Sequence, residues 1–214
     1  MPWQEQIVQL TSTAPLLMHN GQLCDPMNKW ARSMKLISGK QKKTDADHIE
    51  LSRLEFLGGL YVNDNGPCLP AEMVMSTLIN AAKKRKEGPR AKSGMYVDQS
   101  ADLAYKGPRD PGELWETGCW REHGSRGFVD KRPAKVGMAR IMRTRPIFLE
   151  WSAQIVINYD DTIANCETVY EWCGIAGSQI GCGDNRPING RFTVEAVNGK
   201  GTAAASNGKK TAKA

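Results

Sequence analysis

The sequence lacks any run of about 18 apolar residues, the minimum for a membrane-spanning helix, and its first residues, 1–9, lack the basic-then-apolar order of a secretory leader. Both absences point to an intracellular, cytoplasmic chain without a membrane partner. There is no CxxC pair among its six cysteines (Cys24, Cys68, Cys119, Cys166, Cys173 and Cys182) and no paired histidine spacing. That argues against zinc or another bound metal and for free thiols in a reducing compartment. Histidine is scarce: only His19, His48 and His123 are present. No Ser-His-Asp or Cys-His arrangement can be assembled from them. Glycine-rich phosphate loops of the strand-turn-helix kind are missing too. The one glycine-rich stretch, Gly177 to Arg191, follows a helical pattern and precedes a strand, the reverse of a dinucleotide or P-loop turn. No cofactor is expected.

Positive charge is what the chain has in excess. The formal net charge is +6 over 214 residues, yet four of those charges belong to the acid-free, low-complexity segment 200–214, leaving +2 elsewhere. The informative feature is local clustering. Lys29, Arg32, Lys35, Lys40, Lys42 and Lys43 form one acid-free run. Lys83, Lys84, Arg85, Lys86, Arg90 and Lys92 form a second, against Glu87. Lys131, Arg132, Lys135, Arg140, Arg143 and Arg145 form a third, again without an acid. Such runs are ordinarily solvated faces, but three of them in an otherwise near-neutral chain suit a polyanion.

Periodicity places the elements. Glu5 to Thr11 alternates as a strand, and Asp25-Pro26 opens a short helix through Ile37. Thr44 and Asp47 make a capping-box start for a helix ending at Gly58-Gly59. Pro70 and Gly88 bracket the clearest helix, with Val74, Met75, Leu78 and Ala82 at helical spacing. Gly94 to Val97 and Leu103 to Tyr105 suggest short strands. The Gly- and Pro-rich stretch from Lys106 to Pro133 reads as a long excursion. Two strands occupy Val136 to Asn158, broken near Arg145-Pro146. A second helix covers Thr162 to Ala176, and Arg191 to Val197 alternates as the last strand. The result is an α+β, ferredoxin-like (RRM-like) βαββαβ domain over 1–199, with insertions at about 22–60 and 106–133 and a disordered basic tail at 200–214. Its open sheet face would be a positively lined platform for single-stranded nucleic acid.

Three patches resemble a family. Leu16 to Gly21 looks like a Leu-x-His-x-Gly turn, Gly66 to Met75 like a passage through proline into the first helix, and Gly190-Arg191-Phe192-Thr193-Val194 like a Gly-Arg-aromatic-x-Val ending. In that order they resemble the RAMP superfamily of CRISPR-associated proteins, in particular its crRNA-binding backbone subunits, and also solitary phage-encoded proteins of that layout, whose setting would be the host cytoplasm. The first helix departs from the family: Met75 to Asn80 stands where a Lys-Gly-x-x-Arg run is usual. The resemblance implies RNA held by basic residues and a glycine-bearing loop (Gly181, Gly183, Arg186 and Arg191), with self-association into an oligomer or filament. It makes the 106–133 excursion a thumb, on which Trp115, Trp120 and Phe128 either stack on bases or pack the loop down. Two residues are candidates for catalysis. His19 is either a general acid-base of a RAMP-type endoribonuclease or structural, and Asp25 either positions a metal or water or caps the next helix. The expectation is a non-enzymatic strand-binding protein. The alternatives are the nuclease and a structural or protein-interaction phage protein.

Overall fold

The computed structural model describes residues 3–197; the basic tail 200–214 lies outside the described residues. The chain is a mixed α+β structure, with seven α-helices and several antiparallel sheets among the described residues. In chain order the strands and helices are β1 (Trp3–Ser12), β2 (Leu16–Leu17), α1 (Lys29–Ser38), α2 (Asp45–Gly59), β3 (Val62–Asn63), β4 (Gly66–Leu69), α3 (Ala71–Lys84), α4 (Gly88–Gly94), β5 (Met95–Tyr96) and β6 (Ala101–Asp102). There follow α5 (Pro111–Glu116), α6 (Trp120–His123), β7 (Val129–Val136), β8 (Ala139–Phe148), β9 (Ser152–Asp160), α7 (Cys166–Ile175) and β10 (Phe192–Ala196).

The main sheet has the order β10-β1-β9-β5 with every neighbouring pair antiparallel. Alternation along β1 and β9 sends Val8, Leu10, Ala153, Ile155 and Ile157 to the inner side, where they join Val74 and Leu78 of α3 and Val169, Trp172 and Cys173 of α7 in one buried core. The start of α2 bears out the capping signal: Asp47 N–H donates to Thr44 Oγ1 and Thr44 N–H to Asp47 Oδ2. Its second half, from Leu54 to Gly59, is buried, while α1 buries no residue fully. No helix among the described residues is long and apolar enough to cross a membrane.

The region 106–148 differs from the sequence expectation. The stretch 106–133 is no free excursion: α5, α6 and the first half of β7 occupy it, and Leu114 and Phe128 are buried. The strand pair begins at Val129 and turns at Gly137-Met138, giving a β7–β8 hairpin in register from Val129↔Pro146 to Val136↔Ala139. Pro146 does not break β8. Among the described residues only the two-residue β2 flanks that side of β8, pairing with Ile147 and Phe148, and the Pro146 carbonyl accepts from Met18 N–H. The hairpin, not the 106–133 stretch, is the projecting element; Met138 at its turn is fully exposed.

Candidate nucleic-acid interface

The two sides of the main sheet differ in chemistry. The outer side carries Glu5, Ile7, Gln9 and Thr11 of β1, facing Asn158, Val156, Gln154 and Ser152 of β9, with Thr193 and Glu195 of β10 beside them. Not one Lys or Arg lies in β1, β5, β9 or β10. The expectation of a positively lined platform therefore fails: the exposed side of the sheet is neutral to acidic. The basic residues instead lie in helices and in the hairpin, whose own alternation sorts them.

In β7, Lys131, Pro133 and Lys135 lie opposite Thr144, Met142 and Arg140 of β8; Asp130, Arg132 and Ala134 lie opposite Arg145, Arg143 and Ile141. Directly opposed residues share a face, so the first six occupy one face of the ribbon and the second six the other. The second face is internally neutralised. Asp130, with no exposed side-chain surface, is ion-paired with Arg132 and accepts from Trp120 Nε1 at 2.8 Å. Glu55 of α2 accepts from Arg143 Nη1 at 2.8 Å and from the Thr144 N–H at 2.9 Å, standing in for a neighbouring strand along the β8 edge. Arg145 Nε lies 3.1 Å from Asp184 Oδ2. On the first face Lys131, Lys135 and Arg140 have no ion pair among the described residues, and Lys135 stands directly across from Arg140. Like charges so placed repel, and a bound anion removes that cost.

The first basic run joins this region, because α1 packs on α2 and α2 packs on β8. Lys29, Arg32 and Lys35 recur along the exposed side of α1, with Lys29 over its neighbour's Trp30 ring at 4.7 Å. Beyond α1, Lys42 is exposed, Lys40 pairs with Asp47 at 2.6 Å, and Lys43 donates to the Lys40 carbonyl at 3.0 Å. The second run lies elsewhere. The segment Leu103–Ala104 after β6 bridges to Ser152, at the start of β9, and pairs back to Pro67 of β4, from which α3 departs. After α3 and α4, β5 pairs with Asn158 and Tyr159, at the other end of β9. Seven residues of strand separate these ends, about 23 Å. Lys83, Lys84 and Arg85 thus belong to the end away from the hairpin; Arg85 is ion-paired with Glu171 at 2.5 Å and Lys83 donates to Asn80 Oδ1 at 3.2 Å.

Most amides of the glycine-bearing loop are bonded within the chain. The amides of Gly181, Cys182, Asp184, Asn189 and Gly190 donate to carbonyls of Ala176, Gly190, Leu17, Asn185 and Pro15, and that of Asn185 to Asp184 Oδ1. Gly183 has φ +75°, and a Cβ there would collide with the Leu17 carbonyl, so glycine serves close packing at this point. Arg186 and Arg191 remain exposed on the loop. Trp115 lies 5.6 Å from the Phe56 ring and carries Lys131 Nζ 5.5 Å over its face; Trp120 is tied to Asp130, with Arg121 over its ring at 4.7 Å. Both indoles are thus engaged within the fold.

Of the catalytic candidates, Asp25 is exposed and accepts from the Met27 N–H at 2.8 Å, while Asn28 caps α1. No cluster of three His, Cys, Asp or Glu suited to a metal occurs among the described residues. His19 is half-buried between β2 and α2's end, and its Nδ1 is buried without a hydrogen-bond partner among the described residues. Burial holds its pKa below the ordinary value, the charges of Arg145 and Arg143 add to that effect, and Asp184 and Glu55 oppose it.

Comparison with protein-family models gives no match, and comparison with curated proteins gives none.

Sequence reasoning missed Glu55, Asp130 and Asp184, the three acids that divide the hairpin's faces. A signal for Glu55 was present: it sits between Leu54 and Phe56 in the apolar half of α2, where an acid needs a partner.

Proposed function

We propose that this chain is a non-enzymatic protein that grips the backbone of single-stranded nucleic acid, RNA foremost, with the Lys131–Lys135–Arg140 face of the β7–β8 hairpin and the exposed side of α1. The single observation that carries this reading is the sorting of charge on the hairpin: the cations of one face have carboxylate partners and those of the other have none among the described residues. The strand order β10-β1-β9-β5, antiparallel throughout and covered by α3 and α7, supports a ferredoxin-like core and a distant likeness to RAMP backbone subunits. Exposed Met138 and Ile141 at the hairpin turn support contact between copies spaced along one strand. Six free thiols support an intracellular setting.

Fluorescence-anisotropy titration of labelled RNA and DNA single strands over a salt series tests this. Binding should weaken linearly in log–log form as salt rises, with a slope of about −0.7 per phosphate engaged. Absence of binding at low salt would end the reading. A second reading rests on one observation, the half-buried His19 ring, whose lowered pKa keeps it in the neutral form that a general base toward an RNA hydroxyl needs. Running the same mixtures on denaturing gels decides it: shortened RNA with the wild type and intact RNA with His19→Ala would favour the nuclease, while intact RNA in both removes it.

A further inference from the structure

Between α1, α2 and the hairpin lies a groove of about 430 Å³, within the range of small-ligand sites. Met34 and Leu51 form one wall and Met142 belongs to the other. Thioether and branched aliphatic groups of this kind adapt to flat ligands without demanding a particular edge. Two cations, Lys131 and Arg143, also line it. Glu55 holds Arg143 by Nη1 alone, so the remaining guanidinium donors have no partner among the described residues. Lys131 is steadied by the Trp115 face rather than by an acid. The groove therefore joins an apolar slot to a rim on which Lys131 and Arg143 outnumber the one acid, Glu55, and Lys131 makes it continuous with the unpaired face of the hairpin.

We propose that this groove takes one unstacked nucleotide of the bound strand, with the base between Met34, Leu51 and Met142 and its phosphate on Lys131 and Arg143. This rests on the strand-binding reading above and adds to it that bases, not only phosphates, contribute to affinity. The apolar walls would give shape acceptance of any base rather than edge readout.

The test compares a 20-nucleotide oligouridylate with a ribose-phosphate strand of equal length that lacks bases, by anisotropy with the full chain. Two neutral substitutions alter the groove: Ser52→Trp fills it, and Met142→Ala, at a largely exposed position, removes one wall. The expected result is that the wild type prefers the base-bearing strand, and that each variant weakens binding of that strand about fivefold, the low end of one base contact, while leaving the baseless strand unchanged. Thermal melting checks that each variant folds; should Ser52→Trp not, Met142→Ala alone decides. Equal affinities of the wild type for both strands, or variants without a selective effect, overturn the groove assignment and leave strand binding intact. Failure of the wild type to bind either strand overturns both.

Discussion

Replacing Lys131→Gln, Lys135→Gln and Arg140→Gln together lowers affinity for a single strand about a hundredfold at 0.1 M salt and reduces the salt slope by about two. The magnitude follows from counterion release. Each phosphate engaged contributes about 0.7 to the log–log slope, so each lost contact costs about fivefold at that salt, and three multiply to the stated loss. None of the three has an ion pair among the described residues; their removal relieves repulsion between Lys135 and Arg140 and gives up the contact of Lys131 with the Trp115 face, worth about 0.5–1 kcal/mol, so folding stability should change by no more than about 1 kcal/mol. Arg132→Gln is the matched comparison. Its charge is already committed to Asp130, so it should leave the salt slope unchanged. Equal effects from the two sets of substitutions would mean that the ribbon's faces are not functionally distinct.

Glu55→Ala is the substitution expected to cost the most stability. The carboxylate is buried and accepts from both Arg143 and the Thr144 amide. Its loss strands a guanidinium and orphans a buried backbone N–H. Breaking such a pair from one side costs about 3–5 kcal/mol; Arg143 keeps some access to water, which puts this site at the lower end. About 3 kcal/mol corresponds to a fall in Tm of roughly 10 °C for a domain of this size. Glu55→Gln, which retains one acceptor for the Thr144 amide, should recover part of it. Urea unfolding measures both, and a change under about 0.5 kcal/mol for Glu55→Ala would show that α2 does not anchor the hairpin in this way.

Much of the α+β framework was legible, because local signals there agree with tertiary packing. Pro70 and the apolar spacing through Ala82 mark α3, the Thr44–Asp47 box marks α2, and the alternation of Phe192, Val194 and Ala196 marks β10. The hairpin was misplaced for a physical reason. Its alternation is between two kinds of polar neighbour rather than between apolar and polar, so no hydrophobic period announces it. Pro133 and Pro146 look like breaks, yet Pro133 lies in the edge strand β7, where a missing N–H is tolerated. The candidate site was legible as three runs of positive charge and no further. Which cations are neutralised depends on partners far along the chain, 88 residues in the case of Glu55 and Arg143. The glycine loop is ambiguous in sequence: Gly183 permits close backbone packing against β2, a demand indistinguishable there from close approach to a phosphate.

Ultraviolet crosslinking of the protein to uridine-rich RNA, with the attached peptides read by mass spectrometry, tests most directly where a strand lies. Crosslinks confined to peptides bearing Lys131, Lys135, Arg140 and α1 are the predicted result. Crosslinks concentrated on Trp3 and Tyr96, the exposed aromatic pair at the outer side of the main sheet, with the hairpin unmarked, would contradict it.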